Sequence, residues 1–546
     1  MSVAGQILVD QGLLSAEDLA LAHDRSASLG MGLMQSILDV STIEERAILE
    51  SLASQQGIPF LELRNMDIPD SAVKALSSRM VSHYQVIPVR NSGSLLLIAT
   101  SDPFDVAALD DIQATLGIRV DRAFACRQDV EEAIRKHYGL GADTVEQLVS
   151  GLGGTERLLL ENEFEDLEKL ADDASVVKLV NQFLRQAIQD RATDLHLEIS
   201  RGDVVIRRRV DGLLYDTQMP RELNQLYPAI VSRIKLMAGL DIVEKRLPQD
   251  GRSRVRIGSA EYDLRVSVVP SLHGENVVIR ILPTTMLFSM SDLGMNNDDR
   301  EVMENLISKP HGIIMVTGPT GSGKSTTLYA CLSKLNTRER KLITIEDPVE
   351  YELRGVTQTQ INPGIGLSFS AALRSMLRHD PDVMMVGEIR DRETAEITIQ
   401  TALTGHLVLS TLHTNDAASA AVRLIDMGID PYLVTSTVLA FVAQRLVRKI
   451  CTHCKESYVD NGETYFRGAG CHKCNQSGYH GRLAIYEFLP LHSELRDLVL
   501  KKSPASIIRE KADMLNFGRL FDDGMSKARQ GVTTVEEVMR VCYLDA

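Results

Sequence analysis

The densest chemistry in the chain lies at Gly318, Pro319, Thr320, Gly321, Ser322, Gly323, Lys324 and Ser325, with Thr326 following. This run fits the phosphate-loop pattern, glycines then lysine then a hydroxyl at fixed spacing, without a mismatch. Its glycines let backbone N–H groups turn inward around a β-phosphate. Lys324 would bridge the β- and γ-phosphates and the Ser325 hydroxyl would bind Mg²⁺, so ATP with Mg²⁺ is the expected ligand.

Acids follow at the ends of two apolar runs. Residues 343–350 end in Glu346, Asp347 and Glu350, with Pro348 stopping any strand ladder. Ligands of open α/β sheets gather beyond the carboxyl ends of strands, so these acids should face the phosphate loop. One of them would orient or deprotonate the attacking water. The run 382–388 delivers Glu388 in the same way, to reach Mg²⁺ directly or through water. A third run, 404–415, carries His406 before a strand and His413 with Asn415 after it. Both histidines are expected to approach one crevice and to sense the γ-phosphate.

A separate cradle is built from sulfur. Cys451 and Cys454 form one Cys-x-x-Cys pair, and sixteen residues later Cys471 and Cys474 form another. That spacing matches a structural Zn²⁺ site, in which four thiolates leave no open coordination position for chemistry. With only seven cysteines in 546 residues, a secreted disulfide framework is excluded.

These groups need elements to position them. Four short apolar runs, 312–317, 341–346, 382–387 and 407–411, are separated by helical segments, the pattern of a parallel sheet covered on both faces. Upstream, 175–283 reads as a compact α+β domain. A helix capped by Ser175 carries Val176, Val180, Phe183, Leu184, Ala187 and Ile188 at helical spacing. Strands follow at 194–198, 204–210, 213–216, 254–257, 262–269 and 276–282, with Asp211-Gly212 as a hairpin turn. Residues 1–140 read as short helices, one capped by Ser15, then a mixed α/β piece. Between them a glycine-rich and then acidic stretch, 141–174, reads as a linker. The domains expected are thus 1–140, 141–174 as linker, 175–285, 286–490 including the cysteine segment 451–474, and a helical region 491–546.

Composition narrows the class. The net charge of −15, with no basic and aromatic track, argues against a nucleic-acid partner. Asp10 interrupts any signal peptide, and the longest apolar runs are too short to cross a bilayer, so a cytoplasmic chain is expected.

Taken together, the phosphate loop, Glu346-Asp347, Gly387-Glu388 and the 406–413 histidine box resemble the secretion ATPases of type II secretion systems and type IV pili. The likeness extends upstream through 194–198, Arg207-Arg208-Arg209, 247–252 and Gly274-Glu275. It implies a RecA-like motor domain behind a PAS-like α+β middle domain, an N-terminal mixed α/β docking domain, and a homo-hexamer. By the same resemblance Glu346 is the catalytic base, and Glu388 organises Mg²⁺ and water. Arg265 and Arg280 are then arginine fingers, Arg207 and Arg209 further nucleotide contacts. The zinc segment marks the export or pilus-extension branch, with an inner-membrane platform and the cytoplasmic domain of a membrane-anchored protein as partners that recruit the chain peripherally. Some relatives bind cyclic di-GMP through an Arg-Leu-Gly opening; Val3-Ala4-Gly5 lacks the arginine, so that binding is not expected. Rival readings are a nucleic-acid translocase and a non-hydrolysing, nucleotide-gated scaffold.

Overall fold

The computed structural model describes residues 3–542 except 30, 143, 146–172, 202, 285–288 and 461. It divides into two compact units: Met1–Ile257 with Asp263–Ile281, and Gly258–Tyr262 with Leu282–Ala546. Most of the expected linker, 146–172, lies outside the described residues.

The first unit begins with four helices, Val3–Asp10, Ala16–Leu29, Leu33–Val40 and Glu45–Gln56, closing on Leu8, Leu19, Ile37, Ile48, Leu49 and Leu52. Ser15 caps the second, accepting from the Asp18 N–H at 3.0 Å. A three-stranded sheet follows in the order β1 (Val86–Asn91), β2 (Leu95–Thr100), β3 (Arg119–Phe124).

The approach to the expected linker and its first residues are packed rather than free. Gly139 and Gly141 adopt positive φ of 87° and 71°. A Cβ on Gly141 would lie 2.6 Å from Leu179 Cδ1, and one on Gly139 3.0 Å from Pro220. The Leu140 N–H donates to Gln218 O at 3.1 Å, and Val145 is buried. Glycine here permits close approach of backbone to side chain, not looseness.

The middle helix, Ala174–Gln189, buries the stripe Val176, Leu179, Val180, Phe183, Leu184 and Ala187. Its cap is Asp173, not Ser175: the carboxylate accepts from the Ser175 N–H at 2.7 Å. The helix begins one residue earlier than its first serine, and Asp is an equally good cap. The stripe covers one face of a six-stranded sheet containing β4 (Ala192–Ser200), β5 (Asp203–Val210), β6 (Leu213–Thr217), β7 (Gln249–Ile257), β8 (Ala260–Ser271) and β9 (Gly274–Pro283), ordered β6-β5-β4-β9-β8-β7. Asp211 and Gly212 make the β5–β6 turn with positive φ at both positions.

The second unit holds a seven-stranded sheet, built from β10 (Gly312–Thr317), β11 (Leu342–Glu346), β12 (Thr357–Gln360), β13 (Val383–Val386), β14 (Leu407–Leu412), β15 (Val438–Ile450) and the last long strand, Tyr479–Pro490. Between β15 and that strand runs a small hairpin of β16 (Lys455–Asp460) and β17 (Glu463–Gly468), which makes the last strand β18. The order is β12-β11-β13-β14-β10-β15-β18. Its strands are parallel except β18, which runs antiparallel to β15. The expected all-parallel sheet therefore gains an antiparallel edge, because β15 returns through a hairpin segment instead of a crossover helix. One core cluster lies on each face of the sheet. Helices Ser493–Leu500, Ala505–Met514, Leu520–Arg529 and Val535–Cys542 follow β18. No described helix is long and apolar enough to cross a membrane.

Candidate nucleotide site and cysteine cluster

Four adjacent parallel strands point their carboxyl ends at one place. β10 leads into the phosphate loop, β11 ends in Glu346, β13 is followed by Glu388 and β14 by His413. The loop itself is shaped by contact with β15. A Cβ on Gly318 would sit 2.5 Å from Gln444 O, and one on Gly323, at φ 86°, 2.9 Å from Gln444 Nε2. Gln444 is buried and accepts from Thr327 Oγ1 at 2.8 Å, so it forms the floor under the loop and the helix Lys324–Leu335. That helix starts directly at Lys324 because Gly323 supplies the left-handed turn at its N-terminus.

Lys324 is 8% exposed and donates to Gly318 O at 2.8 Å and Pro319 O at 3.0 Å. Burial pushes its ammonium down to about 8, opposed by the Glu388 charge. Ser322 Oγ is buried with no hydrogen-bond partner among the described residues. A desolvated cation resting on its own loop carbonyls, beside an orphaned hydroxyl, fits a site made for phosphate oxygens. Ser325 and Thr326 open the helix behind Lys324, where the Ser325 hydroxyl would hold Mg²⁺.

The acids divide sharply. Glu346 is 4% exposed, whereas Asp347 is exposed and Glu350 half-buried, so only the first of the three is enclosed. Thr344 Oγ1 donates to Glu346 Oε1 at 2.5 Å and Gln358 Nε2 at 3.2 Å, while the Tyr329 hydroxyl makes a short bond to Oε2. Gln358 is locked in this sense because its own Oε1 accepts the Leu353 N–H at 2.6 Å. Burial raises the Glu346 carboxyl above its ordinary value, and the donors from Thr344, Tyr329 and Gln358 oppose that rise. Glu388 is placed by β14: Thr411 Oγ1 donates to Gly387 O at 2.7 Å and the Ile389 N–H to Thr411 O at 3.1 Å. Its Oε2 meets Arg390 Nε at 2.6 Å and His413 Nε2 at 3.4 Å.

The two histidines do not share a crevice in this chain. His406 precedes β14 and binds Thr401 O at 2.9 Å, at the opposite end of the strand from His413. A strand of this length holds its ends about 20 Å apart. Only His413 stands with Glu388. The loop after it is pinned by Thr317, which accepts the Thr414 N–H at 3.0 Å, and by Arg445, which donates to Asn415 O at 3.0 Å.

The middle-domain cations share the solvent-side face of their sheet. Leu195 and Leu197 of β4 are buried, so Asp194, His196 and Glu198 alternate to the other face. There Arg207 grips both Glu198 oxygens, at 2.6 and 2.8 Å, and Asp194 takes Arg280 at 3.0 Å and Arg209 at 3.8 Å. Arg280 is exposed, and β9 places it opposite Asp194. Arg265 of β8 is half-buried, between the core residues Leu264 and Val266.

The four cysteines converge as their spacing implied, with all four sulfurs within 4.8 Å of one another. Sγ separations are 3.7 Å for Cys451–Cys471, 3.8 Å for Cys454–Cys474 and 3.7 Å for Cys471–Cys474. Zinc–sulfur bonds of about 2.3 Å in a tetrahedron require sulfurs about 3.8 Å apart. The donor set fits zinc.

Sequence reasoning missed Tyr329, Gln358 and Gln444. Tyr329 lies on an apolar helix face and reads as core, Gln358 lies on a polar edge strand, and only the fold joins them to the site.

A parallel sheet, a phosphate loop and acids beyond neighbouring strand ends define a RecA-like ATPase. The model for type II/IV secretion system proteins matches residues 169–540, and an MshEN domain model matches 56–144. The type IV pilus assembly ATPase PilB of Myxococcus xanthus is 40% identical, covering 98% of each chain. Type II secretion system protein E of Xanthomonas campestris is also 40% identical, over 98% of this chain and 97% of that one. The crystal structure of the Legionella pneumophila ATPase DotB superposes with a TM-score of 0.51 at 24% identity, over 66% of this chain and 95% of that one, a likeness of fold. The chain belongs to the type II/IV secretion ATPase family, and it is an ATP-hydrolysing phosphate-loop enzyme.

Proposed function

We propose that this chain powers pseudopilus assembly and protein export in a type II secretion system. Pilus extension is the second reading, favoured by the equal identity and full-length coverage of the PilB relative. The observation that carries the motor reading is the convergence of Lys324, Glu346 and Glu388 at adjacent strand ends.

In this reading Glu346 takes the proton of the attacking water, and Lys324 leaves its loop carbonyls for the β- and γ-phosphates. Backbone N–H groups of residues 318–326 hold the phosphate chain. Mg²⁺, held by Ser325 and Glu388, would neutralise charge on the β- and γ-oxygens. His413 reports on the γ-phosphate through Glu388. Arg265 and Arg280, with Arg207 and Arg209 beside them, act as cations on the nucleotide of a neighbouring subunit. Asp194 and Glu198 hold Arg280, Arg209 and Arg207 until phosphate displaces them. His406 has no direct part at its own chain's nucleotide.

The working form is a homo-hexamer in the cytoplasm, recruited to the inner membrane when 1–140 docks on a membrane-anchored partner and the ring engages the platform protein. Residues 175–285 and 286–490 form the motor, with 451–474 as a zinc-held insertion and 491–546 as its helical end. The glutamates argue for hydrolysis over a passive scaffold, and the acidic balance argues against a nucleic-acid track.

Glu346→Gln should lower kcat by about a hundred- to ten-thousandfold while ATP binding persists. Turnover at the wild-type rate would remove Glu346 from the mechanism. Loss of enzyme export with pili intact in a strain lacking the chain separates secretion from pilus extension; the reverse pattern selects the second reading.

A further inference from the structure

Glu346 is held more fully than a proton acceptor needs to be, and the pattern of its donors is informative. Each carboxylate oxygen offers two lone-pair sites. On Oε1 both are taken, by Thr344 and Gln358. Among the described residues Oε2 receives one donor, the Tyr329 hydroxyl, which leaves one site for a proton from water. The sense of that hydroxyl is fixed. It accepts the N–H of Glu350 at 3.2 Å and lies 3.5 Å from the N–H of Tyr351, and these groups can only donate. Its single hydrogen therefore goes to Glu346. The ring is steadied by an edge-on contact with Tyr351, centroids 5.8 Å apart.

We propose that Tyr329 is a positioning residue for hydrolysis, aiming the open lone pair of Glu346 Oε2 and tying it to the phosphate-loop helix. The inference rests on the reading of Glu346 as base. In the step served, a water O–H bond breaks and the proton goes to Oε2, while the water oxygen bonds to the γ-phosphorus. The bond from that phosphorus to the β–γ bridging oxygen breaks, and its electron pair leaves with ADP. Tyr329 stands five residues after Lys324, about 7.5 Å along the helix axis. One rigid helix thus carries both the cation that meets the phosphates and the hydroxyl that aims the base.

The test is a double-mutant cycle on the full chain, reading kcat, KM for ATP and single-turnover rates. Tyr329→Phe should lower kcat about ten- to hundredfold, the worth of a hydrogen bond to a charged group, with KM and ADP affinity within about twofold. In the Glu346→Gln background, adding Tyr329→Phe should change the residual single-turnover rate less than about twofold. A wild-type kcat for Tyr329→Phe beside an inactive Glu346→Gln overturns this inference alone. Equal losses from Tyr329→Phe in both backgrounds also overturn it. A fully active Glu346→Gln overturns the base assignment and the inference with it. Should Tyr329→Phe lose ADP binding, fluorotyrosines at position 329 serve instead: kcat that follows phenol acidity supports the proposal, and a flat series refutes it.

Discussion

The phosphate loop and the cysteine cluster are both cradles at the ends of strands in the same unit, yet they are finished to different degrees. The cysteines are complete: four like donors within 4.8 Å of one another, three of their separations at 3.7 to 3.8 Å, and backbone ties such as Cys451 N–H to Gly478 O at 2.9 Å. Nothing there is left to bind a substrate. The phosphate loop is incomplete, with Lys324 on its own carbonyls, Ser322 Oγ orphaned and one lone-pair site open on Glu346. A saturated site holds structure together. An unsaturated one stores the desolvation that a ligand relieves, and that is where turnover is built.

Breaking the unsaturated cradle should have the largest effect. Lys324→Ala should lower ATP turnover about a thousandfold or more while leaving the melting temperature and bound zinc unchanged. Breaking the saturated one should invert that pattern. Cys451→Ser should cost the single zinc expected per chain, measured by elemental analysis. It should lower the melting temperature by several degrees and speed amide exchange in 451–474, with ADP affinity changing far less. The smallest effect sharpens the chemistry of the open site. Burial raises the Glu346 carboxyl, and the base works only when ionised. Full activity therefore lies above its raised value and is lost as pH falls through it. The acid limb of kcat should sit above the ordinary glutamate range near 4.5; a limb at or below that range would contradict the burial argument.

What could be read from residues alone follows the same division. β10, β11, β13 and β14 are buried on both faces, so they appear as largely apolar runs broken only by small hydroxyl residues such as Thr344 and Ser410, and the loop and acids at their ends come with them. The cysteine site is equally legible, since two short pairs need only be brought together. β12 is not: Thr357-Gln358-Thr359-Gln360 is a polar edge strand with no apolar signal, and Gln358 was lost with it. Tyr329 obeys helix periodicity as a core residue, so its second task appears only when β11 is laid beside its helix. His406 and His413 lie close in sequence and so read as one group, whereas the extended backbone of β14 between them carries them to opposite ends of the strand. Gly141 reads as the start of a loose linker, but at Gly141 and at Gly139 before it positive φ and close packing call for the same residue.

The central claim is that one chain supplies the cradle and acids and the next supplies cations. It is tested most directly by mixing two inactive proteins, Lys324→Ala and Arg265→Ala, and measuring ATP hydrolysis. Each alone should fall about a thousandfold or more. In mixed rings, subunits with an intact phosphate loop sit beside subunits with an intact arginine, so activity should return to a substantial fraction of wild type. A mixture no more active than its parents, from proteins shown to exchange subunits, would contradict the account.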